Sequence, residues 1–581
     1  MKTQLRRPDS KGAPAVWRVQ RSSLRDATLT AGLLLMLFPC LLAVVSVVGF
    51  AMGLPIGAVH VPVAAFLTAL LAGEVAGVRD SRAQVHRFAR AVAGTSLFVV
   101  ACLWVAGRWN DLSYDGQAYH QSAVLMLARG WNPVRDPLSP ALDSFHLLPA
   151  HYPKAAWIAA ASVYKLTGHL EQGKGINLVL FGGAFLLVWS ALLGRWPAHP
   201  VRTGLFALLV ALNPVTLCQA FTFYVDGQLA CCLTALVALG YLAFIQADRR
   251  IVLGVFAAIV LLVNLKFTGV LYAPLMLGVA VLALYRLHRA EAARSMLVAG
   301  AVALTVGVLG VGFNPYVTNQ RGHSNPFYPL AGSSSFLPMG GQMPLGFETM
   351  NRFEKLASSL FSASANCQLG RVEWKLPFEL RSGELATFYN PDTRVGGFGP
   401  LFGGCLLLAT VLYLSLLARR RTGFQLPLLS AIVIGVLLNP ESWWARYSPQ
   451  LWLIPLAVLV GYQVVADPRG RATLFTSTVL LAAMVANTAL VAHGYLSREF
   501  DGQRDYRAAL MRLKARPQPL DVAVSDMESS LVRMADADLS VRLIPSSECH
   551  NAIQLAGTTT RICASAVAER RLVGKRPPDG R

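Results

Sequence analysis

Residues 226–269 read DGQLACCLTALVALGYLAFIQADRRIVLGVFAAIVLLVNLKFTG, and the order of charge and apolarity in this stretch decides the fold. Two apolar runs, 227–246 and 251–265, flank a short polar break that carries Arg249 and Arg250. Asp226 stands before the first run and Lys266 after the second. A helix of about 20 mostly apolar residues crosses the hydrocarbon core of a bilayer. The pair therefore reads as two antiparallel spans, with both arginines on one side of the membrane and Asp226 and Lys266 together on the other.

Extended outward, the same reading gives about thirteen spans: 28–53, 56–78, 89–107, 175–194, 203–218, 227–246, 251–265, 269–285, 295–313, 399–418, 424–438, 448–466 and 473–491. Composition agrees, since 54% of the residues are hydrophobic and 14% charged, against roughly 25% charged in soluble domains. An ordinary soluble enzyme is excluded. The glycines and prolines are dispersed through apolar stretches, which excludes low-complexity disorder and collagen-like repeats. The first span reads as retained, because the basic segment before it is long, its apolar run exceeds a signal-peptide core and no small-residue cleavage site follows.

The net charge of +21 would suggest nucleic acid in a soluble protein, but its placement gives it another meaning. Alternate connections hold 23 basic residues, among them seven in 1–27, four in 79–90, Arg195, Arg202, Arg249, Arg250 and Arg419. The opposite short loops hold two, Lys266 and Arg446. The positive-inside rule puts the basic side, and the amino terminus, in the cytoplasm. With an odd number of spans the carboxy terminus is external, as are the large segments 108–174, 314–398 and 492–581. The expected location is a membrane crossed many times with the basic connections in the cytoplasm, and no nucleic-acid partner is expected. The chain divides into a basic segment 1–27, two extra spans in 28–88, a membrane core 89–491 and an external domain 492–581. In that domain, alternation in 520–525 and 539–544 suggests a small α/β appendage.

Cys549 and Cys563 lie in the external tail, where an oxidising compartment permits a disulfide. Cys40, Cys102, Cys231, Cys232 and Cys405 lie within spans and Cys218 at a span end, as small buried hydrophobes. Cys367 is the odd thiol of the second large loop.

The polar residues of interest collect on the external side. Ser113-Tyr114-Asp115-Gly116 follows Asp111 just after the third span, and Tyr119-His120 follows in turn. Residues 117–129 read as a short amphipathic helix lying in the interface, for which Asp115 offers an ordinary N-cap. His151-Tyr152-Pro153-Lys154 leads into a second such helix, 155–166. Phe223-Tyr224-Val225-Asp226, Leu265-Lys266-Phe267 and Asn439-Pro440-Glu441-Ser442-Trp443-Trp444-Ala445-Arg446-Tyr447 occupy the other external turns. The bland alternatives are headgroup snorkelling for Lys266 and Arg446 and an interfacial belt for Trp443 and Trp444. A lipid-linked anionic substrate suits the set better. Lys266 and Arg446 would neutralise the phosphate of a polyprenyl-phosphate sugar, and Asp115 would take the acceptor hydroxyl proton. Asp226 would orient Asp115 or the acceptor, with Asp111 as the weaker substitute. Tyr119, His120, His151, Lys154, Glu441 and Tyr447 complete the expected substrate-binding set.

In these residues the chain resembles the GT-C superfamily of integral-membrane glycosyltransferases, which includes protein O-mannosyltransferases and the aminoarabinose transferase of lipid A. The resemblance lies in the first-loop Ser113-Tyr114-Asp115-Gly116, two juxtamembrane helices, the later acid Asp226 and the run Lys266-Phe267-Thr268-Gly269. Gly130-Trp131-Asn132-Pro133, Asn325-Pro326-Phe327-Tyr328-Pro329 and Arg446-Tyr447-Ser448-Pro449 are also similar, so that it spans 89–466. It implies an all-α, GT-C-like polytopic fold and a transferase whose first-loop acid, here Asp115, is catalytic. The implied donor is a polyprenyl-phosphate sugar and the acceptor a glycan, lipid or protein. Many relatives have adjacent acids in that loop, whereas three residues separate Asp111 from Asp115, so use of a divalent metal stays open; no residue is assigned as a ligand. The competing readings are a lipid-linked polysaccharide polymerase or ligase and a transporter or flippase. Mid-span apolarity and the lack of an internal repeat or a Walker-type phosphate loop weigh against transport.

Overall fold

The computed structural model describes residues 23–78, 81–136, 144–330, 342–366, 370–419, 425–465, 471–550 and 552–563. Most of the basic 1–27 segment and Cys367 lie outside them. The chain is mostly helical, with a small carboxy-terminal sheet. Among the described residues, seven helices are long and apolar enough to cross a membrane: Ser23–Ala51, Arg82–Ala106, Leu170–Arg195, Asp226–Ile245, Thr268–Arg286, Ala290–Val311 and Arg471–Lys514. The protein is thus a multi-pass membrane protein. Shorter apolar helices include His60–Val75, Pro200–Ala211, Phe402–Ala418 and Gln425–Leu438.

The stretch 226–269 folds as two helices because its polar punctuation matches their ends. Asp226 stands in the first turn of Asp226–Ile245, where a carboxylate suits the positive end of the helix dipole. Asp248 caps the next helix, Arg249–Leu265, by accepting from the Arg250 backbone N–H. Lys266 ends that helix in an extended conformation, and Thr268–Arg286 starts two residues later. A Cβ on Gly269 would run into the backbone carbonyl of Leu262, so the turn at Lys266 requires glycine there. Leu, Val, Ile and Ala side chains of these helices pack with Ser23–Ala51 and Leu170–Arg195 in one apolar core. Arg82–Ala106, by contrast, turns most of its surface outward.

Three expectations need correction. The run 203–218 forms two helices, Pro200–Ala211 and Pro214–Cys218, because Asn213 caps the second and Pro214 cannot donate to the first. The run 473–491 continues without a break to Lys514, since no proline occurs before Pro517. That helix of 44 residues is roughly 66 Å long, about twice the hydrocarbon thickness, and projects well beyond the bundle. The helix expected in 117–129 is not a one-sided surface helix. It forms a π-turn, Gly116–His120, followed by Gln121–Ala128, and most of both is buried. The second, Ala155–Thr167, follows Pro153 by two residues and is likewise mostly buried.

The appendage is built on the projecting end of Arg471–Lys514. Its strands β1 (Leu520–Ala523), β2 (Val541–Leu543), β3 (Ile553–Gln554) and β4 (Arg561–Ile562) form a sheet in the order β2-β1-β4-β3. β1 and β2 run parallel, joined through the helix Ser529–Asp536, and β4 is antiparallel to β1 and β3. Tyr506, Leu513, Val522, Met534 and Ile562 form its core, and Leu112 from the first large segment packs against it. A disulfide joins Cys549 to Cys563, and the six cysteines in or beside the apolar runs are buried.

Candidate functional site

Five connections distant in sequence, which carry Asp115, Asp226, Lys266, Asp392 and Arg446, meet at one end of the bundle. Lys266, fixed by its turn, donates to Asp226 Oδ1 and stands 3.8 Å from the centre of the Tyr447 ring. Asp226 is held from behind by Gln219, whose Nε2 donates to Asp226 Oδ2 at 3.2 Å and to the Pro391 carbonyl at 3.0 Å. Gln219 Oε1 accepts from the Gly227 N–H at 2.7 Å, so a single amide sets the helix start and its neighbouring loop.

Arg446, on the short turn Ala445–Tyr447, is the centre of the group. Its guanidinium lies 3.4 Å from Asp115 Oδ2, 3.6 Å from Asp226 Oδ2 and 3.2 Å from Asp392 Oδ1. The rings of Tyr224, Trp444 and Tyr447 surround it at 5.2, 4.7 and 5.2 Å. Aromatic faces attract a cation and exclude water, which strengthens each of these pairings.

Exposure separates the three carboxylates. Asp226 and Asp392 show 2% and 10% of their side chains, whereas Asp115 shows 25%. Asp115 makes no cap for the turn Gly116–His120 that follows it, contrary to the ordinary structural use expected of it, because its carboxylate reaches Arg446. Burial pushes the Asp115 carboxyl up to about 6, with Arg446 opposing and Asp392 and Asp226 reinforcing the rise. The group can therefore hold or release a proton near neutral pH.

Asp392 was not visible in the sequence reading. It lies in Asn390-Pro391-Asp392-Thr393-Arg394, an irregular stretch whose local signal is that of a turn. Arg394 binds its second oxygen at 2.9 Å, and its carbonyl accepts from Trp444 Nε1 at 2.7 Å. Tyr224, also missed, donates to Asp392 Oδ1 at 3.3 Å.

The other expected residues take different positions. Asp111 is fully buried and accepts from the Phe223 N–H at 2.6 Å and from Ser113 Oγ at 2.5 Å. It braces the segment that carries Asp115, and its carboxyl is raised chiefly by burial and next by Glu171. His120 is enclosed; its Nδ1 accepts from Trp157 Nε1 at 2.7 Å, and burial lowers it to about 3, so it is neutral. Tyr119 packs its ring against His120 and Tyr152. His151 pairs with Asn319 at 2.7 Å and packs against His323 and Tyr328 in a separate aromatic group. Lys154 is buried and donates to the Tyr152 carbonyl at 2.8 Å and to Asn314 Oδ1 at 2.5 Å. Glu441 accepts from Trp443 Nε1 at 2.6 Å and does not join the group around Arg446. Trp443 and Trp444 are both 1% exposed, so they form a packed wall and not an interfacial belt.

Among the described residues, no three His, Cys, Asp or Glu side chains are arranged to hold a metal ion. No protein-family model matches the chain, and no curated protein does.

Proposed function

We propose that the protein is a membrane glycosyltransferase that takes a sugar from a polyprenyl-phosphate donor and passes it to a glycan, lipid or protein acceptor. The observation that carries this reading is the meeting of Asp115, Asp226, Lys266 and Arg446 at one end of the apolar bundle, with Asp115 the most accessible of the carboxylates on Arg446. A donor whose tail stays in the bilayer presents its anionic head at that level. Arg446 and Lys266 bind the phosphate oxygens, in competition with the carboxylates that hold them in the free protein. Asp115 accepts the acceptor hydroxyl proton as the new glycosidic C–O bond forms. The bond between the sugar and the phosphate oxygen breaks, and its electron pair leaves with the polyprenyl phosphate, whose charge the two cations stabilise. Asp226 keeps Lys266 and Arg446 in place for that step.

In this reading the shorter apolar helices cross the membrane with the seven long ones, giving the thirteen spans and GT-C-like arrangement expected from the sequence. The basic connections face the cytoplasm of a bacterial inner membrane, and the site and appendage are external. The 314–398 segment, which supplies Asp392, is the proposed home of acceptor specificity.

The donor class is tested by native mass spectrometry of the purified protein with polyprenyl monophosphate. Wild type is expected to retain one lipid phosphate, and both Lys266→Ala and Arg446→Ala to lose it at the same concentration. Retention by both variants would remove the assignment of the phosphate site.

A further inference from the structure

Arg533 is charged and 3% exposed, lying on the appendage helix Ser529–Asp536. Three of its four hydrogen-bond acceptors belong to the stretch 110–121 around Asp115, and the fourth, Glu171, itself accepts from the Asp111 N–H at 3.2 Å. Nε donates to Glu171 Oε1 at 2.7 Å, and Nη1 donates to Gln117 Oε1 at 2.8 Å. Nη2 donates to the Asp111 carbonyl at 2.8 Å and to Gln121 Oε1 at 3.0 Å. The same stretch is gripped by two further groups. Gln503, on the projecting helix, accepts from the Asn110 N–H at 2.8 Å and donates to the Asn110 carbonyl at 2.6 Å. Gln117 Nε2 donates to the Gly557 carbonyl at 2.7 Å. Residues 110, 111 and 117 are thus held on both sides of Asp115 by side chains and backbone that follow the bundle in sequence.

A guanidinium with five donors in a fixed plane satisfies four acceptors in only one relative placement of its partners. From this geometry we infer that Arg533 is a positioning residue, which docks the appendage onto the 110–121 stretch and so sets Asp115 against Arg446. The inference rests on the proposed glycosyltransfer reading for what Asp115 does, but not for how the stretch is held. Arg129 and Glu528 also pair across this boundary, at 2.7 Å, with side chains 60% and 48% exposed. An exposed pair of that kind contributes little. It provides the control.

The experiment uses the full chain in lipid nanodiscs, as wild type, Arg533→Gln, Arg533→Lys and Glu528→Gln. Amide hydrogen exchange is read over 110–121 and over the helix Asp226–Ile245. The kinetic readout is release of polyprenyl phosphate when a lipid extract of polyprenyl-phosphate sugars is supplied together with an extract of candidate glycan, lipid and protein acceptors. Arg533→Gln is expected to speed exchange in 110–121, leave Asp226–Ile245 protected, and lower kcat on the order of a hundredfold through misplacement of the base, with KM unchanged. Arg533→Lys recovers part of both effects, and Glu528→Gln behaves as wild type. Unchanged exchange in 110–121, unchanged kcat, or a raised KM with kcat intact would each overturn the inference. If Arg533→Gln does not fold, Arg533→Lys decides by the same split between kcat and KM. A wild-type protein that releases no polyprenyl phosphate would count against the glycosyltransfer reading instead. The exchange measurement then still decides whether Arg533 holds the stretch.

Discussion

Asp115 is the most exposed of the three carboxylates on Arg446, and burial raises its carboxyl to about 6. A general base must be deprotonated to act, and a carboxyl at its ordinary value of about 4 would be ionised throughout the physiological range. Here the deprotonated fraction rises with pH through about 6, so the rate should rise with it. Below that point kcat/KM is expected to fall about tenfold per pH unit, and above it to level off. A pH profile of donor turnover checks this, and a rate already level down to the ordinary carboxylate range would show that Asp115 is not the titrating group. Arg446 binds three carboxylates, so under the proposed function it is already charge-compensated before a donor binds. The phosphate must displace at least one of them, and Asp115, the most exposed, is the natural one to yield.

At the scale of elements, the turn Lys266-Phe267 carries more of the site than its length suggests. It joins two helices with Gly269 pressed against the Leu262 backbone. Gly269→Ala is expected to force the two helix ends apart, lower stability by about 1–3 kcal/mol as overpacking does, and weaken polyprenyl-phosphate binding by moving Lys266. Thermal melting and the lipid-binding measurement read the two effects; a variant unchanged in both would show that the turn tolerates a side chain. Elements of this kind were legible in the sequence because hydropathy, charge and helix punctuation coincide in 226–269. The strands β1 and β2 were legible from alternation, and the pairing of Cys549 with Cys563 from compartment and spacing. Asp392 was not, because it sits in irregular chain whose place is set by distant groups, Gln219, Trp444 and Arg446. The same holds for Asp111 and Lys154. Both have the residue type of a site group, and only their buried partners give them bracing positions.

At the scale of the whole molecule, an apolar bundle carries polar chemistry at one end and an appendage raised on the end of a helix of 44 residues. The charge of +21 is read as an address that orients this assembly. Its test is labelling of intact cells with a membrane-impermeant maleimide, in a Cys367→Ser background. Glu528→Cys, on the appendage, is expected to be labelled, and Arg249→Cys, at the basic end, only after the cells are opened. The reverse pattern would turn the molecule over and put the site in the cytoplasm. The central claim, that the group around Arg446 transfers a sugar from a polyprenyl phosphate with Asp115 as base, is met most directly by one rate. Purified wild type and Asp115→Asn are given the same lipid-linked donor and acceptor extract, and formation of free polyprenyl phosphate is followed. Loss of the base is expected to slow it by about 10²- to 10⁴-fold while the variant stays folded and binds the lipid. A folded Asp115→Asn protein that turns over at the wild-type rate would contradict the account.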